Sequence, residues 1–283
     1  PNMAFYDAAG HEGLDTLRRT IDCAHAHGVP VILDAKRGDV GHSSAALART
    51  ALELWGADAV TVNPYLGMDS VQPFLDYADK GVYVLCHTSN PGALDLQEGL
   101  VGGLPLYLRV AELARRWNRV GNVGLVVGAT FPDALAAVRA AAPDLPFLVP
   151  GVGAQGGDLE AAVAAGLNAE GSGLLVNASR AVACAEDPAA AAKALRAALA
   201  SAQAAARESP ALTAEDRLAA ALHEAGCVRF GTFTLHSGQV SPIYLDLRML
   251  VSYPAVLGQV AAAYGKLLEG LAFDRLAAIP YAA

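Results

Sequence analysis

The sequence lacks the long apolar run that a membrane-spanning helix requires. Mean hydropathy is +0.33 and 54% of the 283 residues are hydrophobic, but polar or charged residues break up every stretch of about 18 residues. It also lacks a recognisable secretory signal peptide. We therefore expect a cytoplasmic protein without a membrane partner, in which buried strands are covered by alanine-rich helices.

Cysteine is scarce, and metal-binding patterns are missing. The four cysteines are far apart, with no CxxC pair, which is typical of free thiols in a reducing compartment. The seven histidines form no HExxH or comparable spacing, so no metal site is expected. Only 17% of residues are charged, the net charge is −8 and there is no long basic run, which argues against general binding of nucleic acid.

Short apolar runs alternate with longer amphipathic stretches along the first 207 residues. The runs do not alternate with a period of two, as is typical of parallel strands buried on both faces. The predicted strands are residues 29–34, 57–63, 81–88, 123–130, 146–151 and 173–178. The predicted helices are 14–27, 43–55, 70–78, 106–117, 133–142, 158–165 and 188–207. Repeated strand–helix units indicate a parallel α/β fold.

The count of six strands, with a helix first, leaves two α/β architectures open. A (β/α)8 TIM barrel needs eight such units, so a barrel here would lack its first two strands. A doubly wound open sheet fits the same pattern. Both ends of the chain are interpreted as cut, because it opens Pro1-Asn2-Met3 and stops inside a predicted strand at 276–280.

The alternation of apolar runs and amphipathic stretches ends near residue 207. We predict three parts: a barrel at 1–206, a linker at 207–213, and the start of a second α/β domain at 214–283. Within the last part, a helix at 214–225 precedes two extended runs at 230–238 and 241–248, and a further helix covers 254–270.

The strongest chemical signal is Asp34-Ala-Lys36-Arg37-Gly38-Asp39 at the end of the first predicted strand. In extended geometry Asp34 and Lys36 point the same way, and Asp39 can turn back from the loop. The interpretation as a solvated, ion-paired loop stays open. The functional interpretation is a lysine held among carboxylates and able to deliver a proton.

Three further loops follow strands, where βα folds place their sites. The glycine-rich loop 150–157 opens at Pro150 and carries Gln155, and its N–H groups suit a phosphate. Arg180 follows the last strand and can fork onto phosphate oxygens. Ser89, in Thr-Ser-Asn-Pro-Gly, offers a hydroxyl for a polar ring. Simple turns are the competing interpretation, and no Walker loop, clean GxGxxG or nucleophile elbow is present.

Taken together, these motifs closely resemble orotidine 5′-phosphate decarboxylase, in the subgroup carrying Asp-Ala-Lys-Arg-Gly-Asp. The resemblance covers about residues 1–205. It is carried by residues 1–6, 62–67, 88–92, 127–130, 150–157 and 179–180. It implies a (β/α)8 barrel, a homodimer, and loss of CO₂ from orotidine 5′-monophosphate to give UMP without a metal or organic cofactor. Two family residues, an Asp and a Lys on the first two strands, have no counterpart because the chain starts at the following Pro.

The resemblance also implies roles for individual residues. Lys36 would protonate C6 of the pyrimidine, and Asp34 would lie beside the departing carboxylate and orient Lys36. Asp39 and Ser43 would reach into the partner subunit's site, Ser43 standing where the family usually has Thr. The substrate's pyrimidine would bind Ser89. Its phosphate would bind the loop from Pro150 through Gln155, and Arg180.

The C-terminal part resembles the N-terminus of orotate phosphoribosyltransferase, through residues 230–238, 241–248 and 273–280. His236 stands where many members have a Lys that approaches diphosphate, and Tyr244 matches an aromatic near the pyrimidine. Mg²⁺ is expected only for a complete transferase domain. The parent would be a UMP synthase-like fusion. Two alternatives stay open: a metal-dependent phosphosugar lyase of the same superfamily, and a non-catalytic nucleotide- or phosphate-binding fragment.

Overall fold

A computed structural model describes residues 1–152, 157–208, 214–234 and 238–268. The chain folds into two compact units, Pro1–Ser209 and Pro210–Ala283.

The first unit is built on one sheet of six parallel strands, as the apolar runs predict. Its strands are β1 (Ile32–Arg37), β2 (Ala59–Val62), β3 (Gly81–His87), β6 (Val123–Val127), β7 (Phe147–Val149) and β8 (Leu174–Val176). A small antiparallel pair, β4 (Leu100–Val101) and β5 (Leu104–Pro105), lies apart from it. The residues from Asp34 to Arg37 extend β1 beyond its apolar part.

Helices alternate with the strands. Two of them, α1 (Met3–Ala8) and α2 (Gly10–Ala26), precede β1. The others are α3 (Gly41–Arg49), which continues as a π-helical turn at Thr50–Leu54, α4 (Met68–Leu75), α5 (Ala93–Leu96), α6 (Leu106–Trp117), α7 (Pro132–Ala141), α8 (Leu159–Gly166), α9 (Arg180–Ala183) and α10 (Pro188–Glu208). Every helix predicted in this unit is present, whereas α1, α5, α9 and the β4–β5 pair were not predicted.

The two faces of the sheet have different surroundings. Alternate residues such as Val60, Val82 and Leu125 pack with the helices in the main hydrophobic core. The residues between them form a separate small cluster on the other face, which we call the inner face. There Gly124 leaves room for the ring of Tyr83, because a Cβ on Gly124 would lie 2.5 Å from that ring.

The strand order decides between the two architectures left open by the sequence. The order β1-β2-β3-β6-β7-β8 follows the chain without reversal. A doubly wound sheet reverses its order at a switch point, whereas the wall of a barrel does not. The predicted TIM-barrel class is therefore confirmed, with six strands of the barrel wall among the described residues.

The side chain of Arg139, in α7, hydrogen-bonds to several backbone segments in the second half of this unit. Only 8% of the residue is exposed, and its guanidinium donates to the carbonyl oxygens of five residues that end or connect helices and strands. They are Gly166 (2.8 Å), Ala142 (3.2 Å), Pro143 (3.0 Å), Leu145 (2.7 Å) and Gly173 (3.2 Å). Its Cζ also lies 3.6 Å from the centre of the Phe147 ring. Burial lowers the pKa of Arg139 to about 10, so the side chain is still cationic at neutral pH.

The second unit begins with α11 (Ala214–Glu224) and an antiparallel pair, β9 (Val228–Thr234) and β10 (Val240–Leu245). A 3-10 helix (Leu247–Ser252) and α12 (Pro254–Leu268) follow. Ala225, Cys227 and Leu250 form its small buried core. The extended run predicted to 248 stops at Leu245. The strand predicted at 276–280 lies outside the described residues.

Within the described part of the chain, no helix combines the length and the hydropathy needed to cross a bilayer.

Candidate active site

The carboxyl ends of the parallel strands bring the predicted site residues to one edge of the sheet. Asp34 and Lys36 lie near the end of β1, and Ser89 follows β3. Pro150 follows β7, and Arg180 follows β8. Because all six strands are parallel, these ends share one edge, as the sequence predicts.

Asp34 and Lys36 form the polar centre of this edge. The ammonium Nζ of Lys36 lies 2.6 Å from both carboxylate oxygens of Asp34. Asp34 also accepts hydrogen bonds from Thr61 Oγ1 (2.9 Å) and Asn2 Nδ2 (3.1 Å). About half of the Lys36 side chain (48%) is exposed, so the ammonium is held in place but stays accessible to a ligand.

A bulge in β1 produces this pairing. Leu33 pairs with Val60 and Arg37 with Val62, so three residues of β1 lie opposite the single residue Thr61 of β2. The backbone N–H of Lys36 donates to Thr61 Oγ1 at 2.9 Å instead of to a ladder carbonyl. Lys36 has φ +46°, and no other described non-glycine residue has a positive φ. Such a backbone is unfavourable for a side chain, and strain of this kind clusters at functional sites.

The residues expected to act across a dimer lie beside the bulge. Asp39 is half-buried in the loop before α3, and its Oδ1 accepts from the backbone N–H of Val40 at 2.7 Å. Among the described residues no hydrogen bond joins Asp39 to Lys36 within this chain. Ser43 is exposed in the first turn of α3. Their assignment to a partner's site stays a prediction.

The loop that carries Ser89 packs closely on the end of β6. A Cβ on Gly128 would lie 2.7 Å from the backbone N of Ser89, so only glycine permits this approach. Thr130 Oγ1 donates to Ser89 O at 3.1 Å. In a similar way, the N–H of Ala129 donates to Pro150 O at 2.8 Å, which joins the loops after β6 and β7.

Of the residues predicted to bind phosphate, Pro150 and Arg180 lie among the described residues. Arg180 is the first residue of α9 and is exposed, and its guanidinium forms no hydrogen bond or ion pair with another described residue. Gln155 lies outside the described residues. On either side of the undescribed residues 153–156, Gly157 N donates to Gly151 O at 3.1 Å, so the flanks of the glycine-rich loop are close together.

In the second unit only one predicted site residue is described. Tyr244 of β10 is half-buried; its ring lies 5.4 Å from the Phe233 ring, and Arg229 Cζ lies 5.4 Å from its centre. His236 lies outside the described residues.

The described residues contain no group of three or more His, Cys, Asp or Glu side chains that could hold a metal ion.

Sequence reasoning missed two partners of Asp34. Thr61 is buried (1% exposed) between Val60 and Val62, and a hydroxyl inside an apolar strand is a signal that it bonds to something specific. Asn2 reaches Asp34 from the other side, where Asp34 N donates to Pro1 O at 2.8 Å. Only the fold reveals the second contact, because 32 residues separate the two partners.

Comparisons with known proteins identify relatives of the first unit. A model of the family described as orotidine 5′-phosphate decarboxylase / HUMPS matches residues 1–195. Orotidine 5′-phosphate decarboxylase of Azoarcus sp. (strain BH72) is 58% identical over 200 residues, which are 69% of this chain and 73% of that protein. The structure of Leishmania donovani OMP decarboxylase is 52% identical with a TM-score of 0.68, and the match covers 72% of this chain and 80% of that one.

Two further relatives extend over both units. The bifunctional enzyme PyrF/PyrE of Nostoc sp. (strain PCC 7120) is 37% identical over 301 residues, covering 99% of this chain and 61% of that enzyme. The structure of Leishmania donovani UMP synthase is 53% identical with a TM-score of 0.72, covering 99% of this chain and 62% of that one. The chain therefore spans less than two thirds of the length of either relative.

Proposed function

The chain belongs to the orotidine 5′-phosphate decarboxylase / HUMPS family, and we propose that its first part serves decarboxylation of orotidine 5′-monophosphate to UMP, in pyrimidine biosynthesis. The observation that carries the proposal is the ammonium of Lys36, held by Asp34 at the carboxyl edge of the sheet. The test is UMP formation from orotidine 5′-monophosphate by the intact protein.

In the proposed reaction the bond from C6 of the pyrimidine to its carboxylate breaks, and CO₂ leaves. The electron pair of that bond stays on C6 and takes a proton from Lys36 Nζ, and solvent then reprotonates the amine. Asp34 is an anion beside the departing carboxylate and fixes the position of Lys36 through two 2.6 Å contacts. A preorganised cation lowers the energy of a developing carbanion, since it need not reorient during the reaction. We propose that no cofactor takes part.

The proposed substrate phosphate binds at Arg180 and the glycine-rich loop after β7. Removing a charge-assisted hydrogen bond to phosphate costs about 1.5–3 kcal/mol, so Arg180→Ala is expected to raise KM for orotidine 5′-monophosphate about 10- to 100-fold. Steady-state kinetics measure this. Arg196→Ala, which removes an exposed arginine on α10, serves as the matched control and leaves KM unchanged. An unaltered KM in Arg180→Ala contradicts the phosphate assignment.

We also propose that two copies of the chain form a homodimer in which Asp39 and Ser43 complete the partner's site. Two exposed apolar side chains, Val40 beside Asp39 in the chain (53% exposed) and Tyr65 in the loop after β2 (72%), support a covered surface at this edge of the sheet.

Subunit mixing tests this arrangement. Lys36→Ala and Asp39→Ala are each expected to be inactive alone. Mixed under conditions that exchange subunits, they regain about a quarter of wild-type activity, because half of the dimers are mixed and each has one intact site. No regain of activity in mixed dimers, detected by differently tagged subunits, places Asp39 in its own subunit's site.

For the second unit we propose the N-terminal part of an orotate phosphoribosyltransferase, fused to the decarboxylase in one cytoplasmic protein. The alignment with bifunctional PyrF/PyrE over 99% of the chain supports this. In this proposal Tyr244 and His236 serve the transferase, and Mg²⁺ is needed for that activity alone. The proposed boundaries are 1–206, 207–213 and 214–283.

The two alternatives predict different behaviour. A metal-dependent phosphosugar lyase would lose activity in EDTA, whereas decarboxylation as proposed here persists. A non-catalytic module would bind UMP in calorimetry and form no product from orotidine 5′-monophosphate.

A further inference from the structure

Two consecutive residues at the end of β3 pair with two consecutive residues that follow α5. His87 pairs with Glu98, and Thr88 pairs with Gln97. The loop between them carries Ser89, so these pairs close the base of the loop whose serine would bind the pyrimidine, as the family resemblance implies.

The amide of Gln97 bonds to Thr88 at two points. Gln97 Oε1 accepts from the backbone N–H of Thr88, and Gln97 Nε2 donates to Thr88 Oγ1, both at 2.8 Å. The Thr88 hydroxyl in turn donates to Asn90 Oδ1 at 2.7 Å. Gln97 thereby holds Thr88 directly and Asn90 through the Thr88 hydroxyl, and these two residues flank Ser89 in the chain.

In the second pair the histidine is buried and the glutamate is partly exposed. His87 has no exposed surface, and its Nε2 lies 2.8 Å from Glu98 Oε1. The rings of Tyr107 and Phe131 meet the imidazole edge-on, each with its centre 4.9 Å away. His87 Nδ1 is buried without a hydrogen-bond partner in the described part of the chain. Glu98 is thus the side-chain partner that fixes the ring, with Nε2 as the donor.

On the opposite side of the loop, two backbone carbonyls accept hydrogen bonds from the end of β6 and the residues after it. Gly128 N donates to His87 O at 2.7 Å, and Thr130 Oγ1 donates to Ser89 O at 3.1 Å. The Ser89 backbone therefore lies between the end of β6 and the Gln97–Thr88 contacts. Nothing in catalysis as proposed above requires Gln97, His87 or Glu98 to touch the substrate.

We propose that Gln97, supported by the His87–Glu98 pair, is a positioning residue that holds Ser89 where it meets the pyrimidine. This inference rests on the proposed function. An error of about 1 Å in a positioned group costs about 100-fold in rate. Gln97→Ala is therefore expected to lower kcat/KM about 10- to 100-fold, and Glu98→Gln, which keeps an acceptor for His87, retains most of the wild-type value.

The double variant Ser89→Ala/Gln97→Ala separates positioning from general damage. If Gln97 acts through Ser89, the double variant is no slower than Ser89→Ala alone. If the two losses multiply, Gln97 acts independently of Ser89 and the proposal is overturned. Gln72→Ala, which removes a glutamine bonded to Asp76 on α4, is the matched control and leaves kcat/KM unchanged.

The contacts of Gln97 with Thr88, which we call the clamp, can also be tested without relying on turnover, by hydrogen–deuterium exchange of the intact protein. In Gln97→Ala the amides of residues 88–93 are expected to exchange faster, while those of β6 keep their wild-type rate. Unchanged exchange at 88–93 overturns the clamp, whether or not the protein decarboxylates. Faster exchange together with no turnover by the wild type retains the clamp and rejects the proposed function.

Discussion

Lys36→Ala is expected to lower kcat for decarboxylation by about four orders of magnitude or more, because it removes both the proton donor and the preorganised cation. The Asp34 carboxylate would remain with its bonds from Thr61 and Asn2 but without a counter-charge 2.6 Å away. Single-turnover formation of UMP measures the chemical step directly.

A second substitution at the same position separates the positive charge of Lys36 from its proton. Lys36→Arg keeps a positive charge but gives up a proton far less readily, since the pKa of a guanidinium is far higher than that of an ammonium. It is therefore expected to bind UMP and remain nearly inactive. Lys193→Ala, which removes an exposed lysine on α10, leaves kcat unchanged. Substantial activity in Lys36→Ala would reject the assignment of Lys36 as the proton donor.

Arg139→Met is expected to destabilise the first unit by about 3–5 kcal/mol, because it leaves several buried carbonyl groups without a donor. Five carbonyl oxygens accept from this one side chain, and methionine keeps much of its apolar length but none of its N–H groups. Urea unfolding followed by tryptophan fluorescence measures the free energy of unfolding. The two tryptophans, Trp55 and Trp117, both lie in the first unit.

Arg115→Met is the matched control. Arg115 is exposed on α6 and donates to a single carbonyl, Ala141 O, at 3.1 Å. Its loss is expected to cost less than about 1 kcal/mol. If the two variants lowered the free energy of unfolding equally, the five hydrogen bonds from Arg139 to carbonyl oxygens would add no more stability than the single one from Arg115.

The sequence predicted the long elements of the fold well, and the short ones poorly. Buried parallel strands and amphipathic helices leave periodic patterns, and all six strands and seven helices of the first part were identified. Helix α5 and the β4–β5 pair leave no such pattern, because they are too short to show a period: α5 has four residues, and β4 and β5 have two each.

The candidate site was predicted where its residues share one strand, and less completely elsewhere. The two-residue spacing of Asp34 and Lys36 predicted that their side chains lie together, but it did not predict the bulge and the positive φ of Lys36 that accompany this contact. Strand β1 continues to Arg37 despite its charges, since Asn63 N donates to Arg37 O at 2.8 Å. The contacts from Asn2, Thr61 and Gln97 depend on how separate strands and loops meet, which no local pattern encodes.

The bulge in β1 has a consequence for how this segment can change in length. Three residues of β1 span the distance that one residue spans in β2, so the surplus is two, which preserves the inward–outward alternation of the strand. Deleting Ala35 would turn either Asp34 or Lys36 toward the helices, and deleting any two of the three residues would leave only one opposite Thr61. Substitution can therefore vary the chemistry of this segment, whereas deletion would dismantle the charged pair.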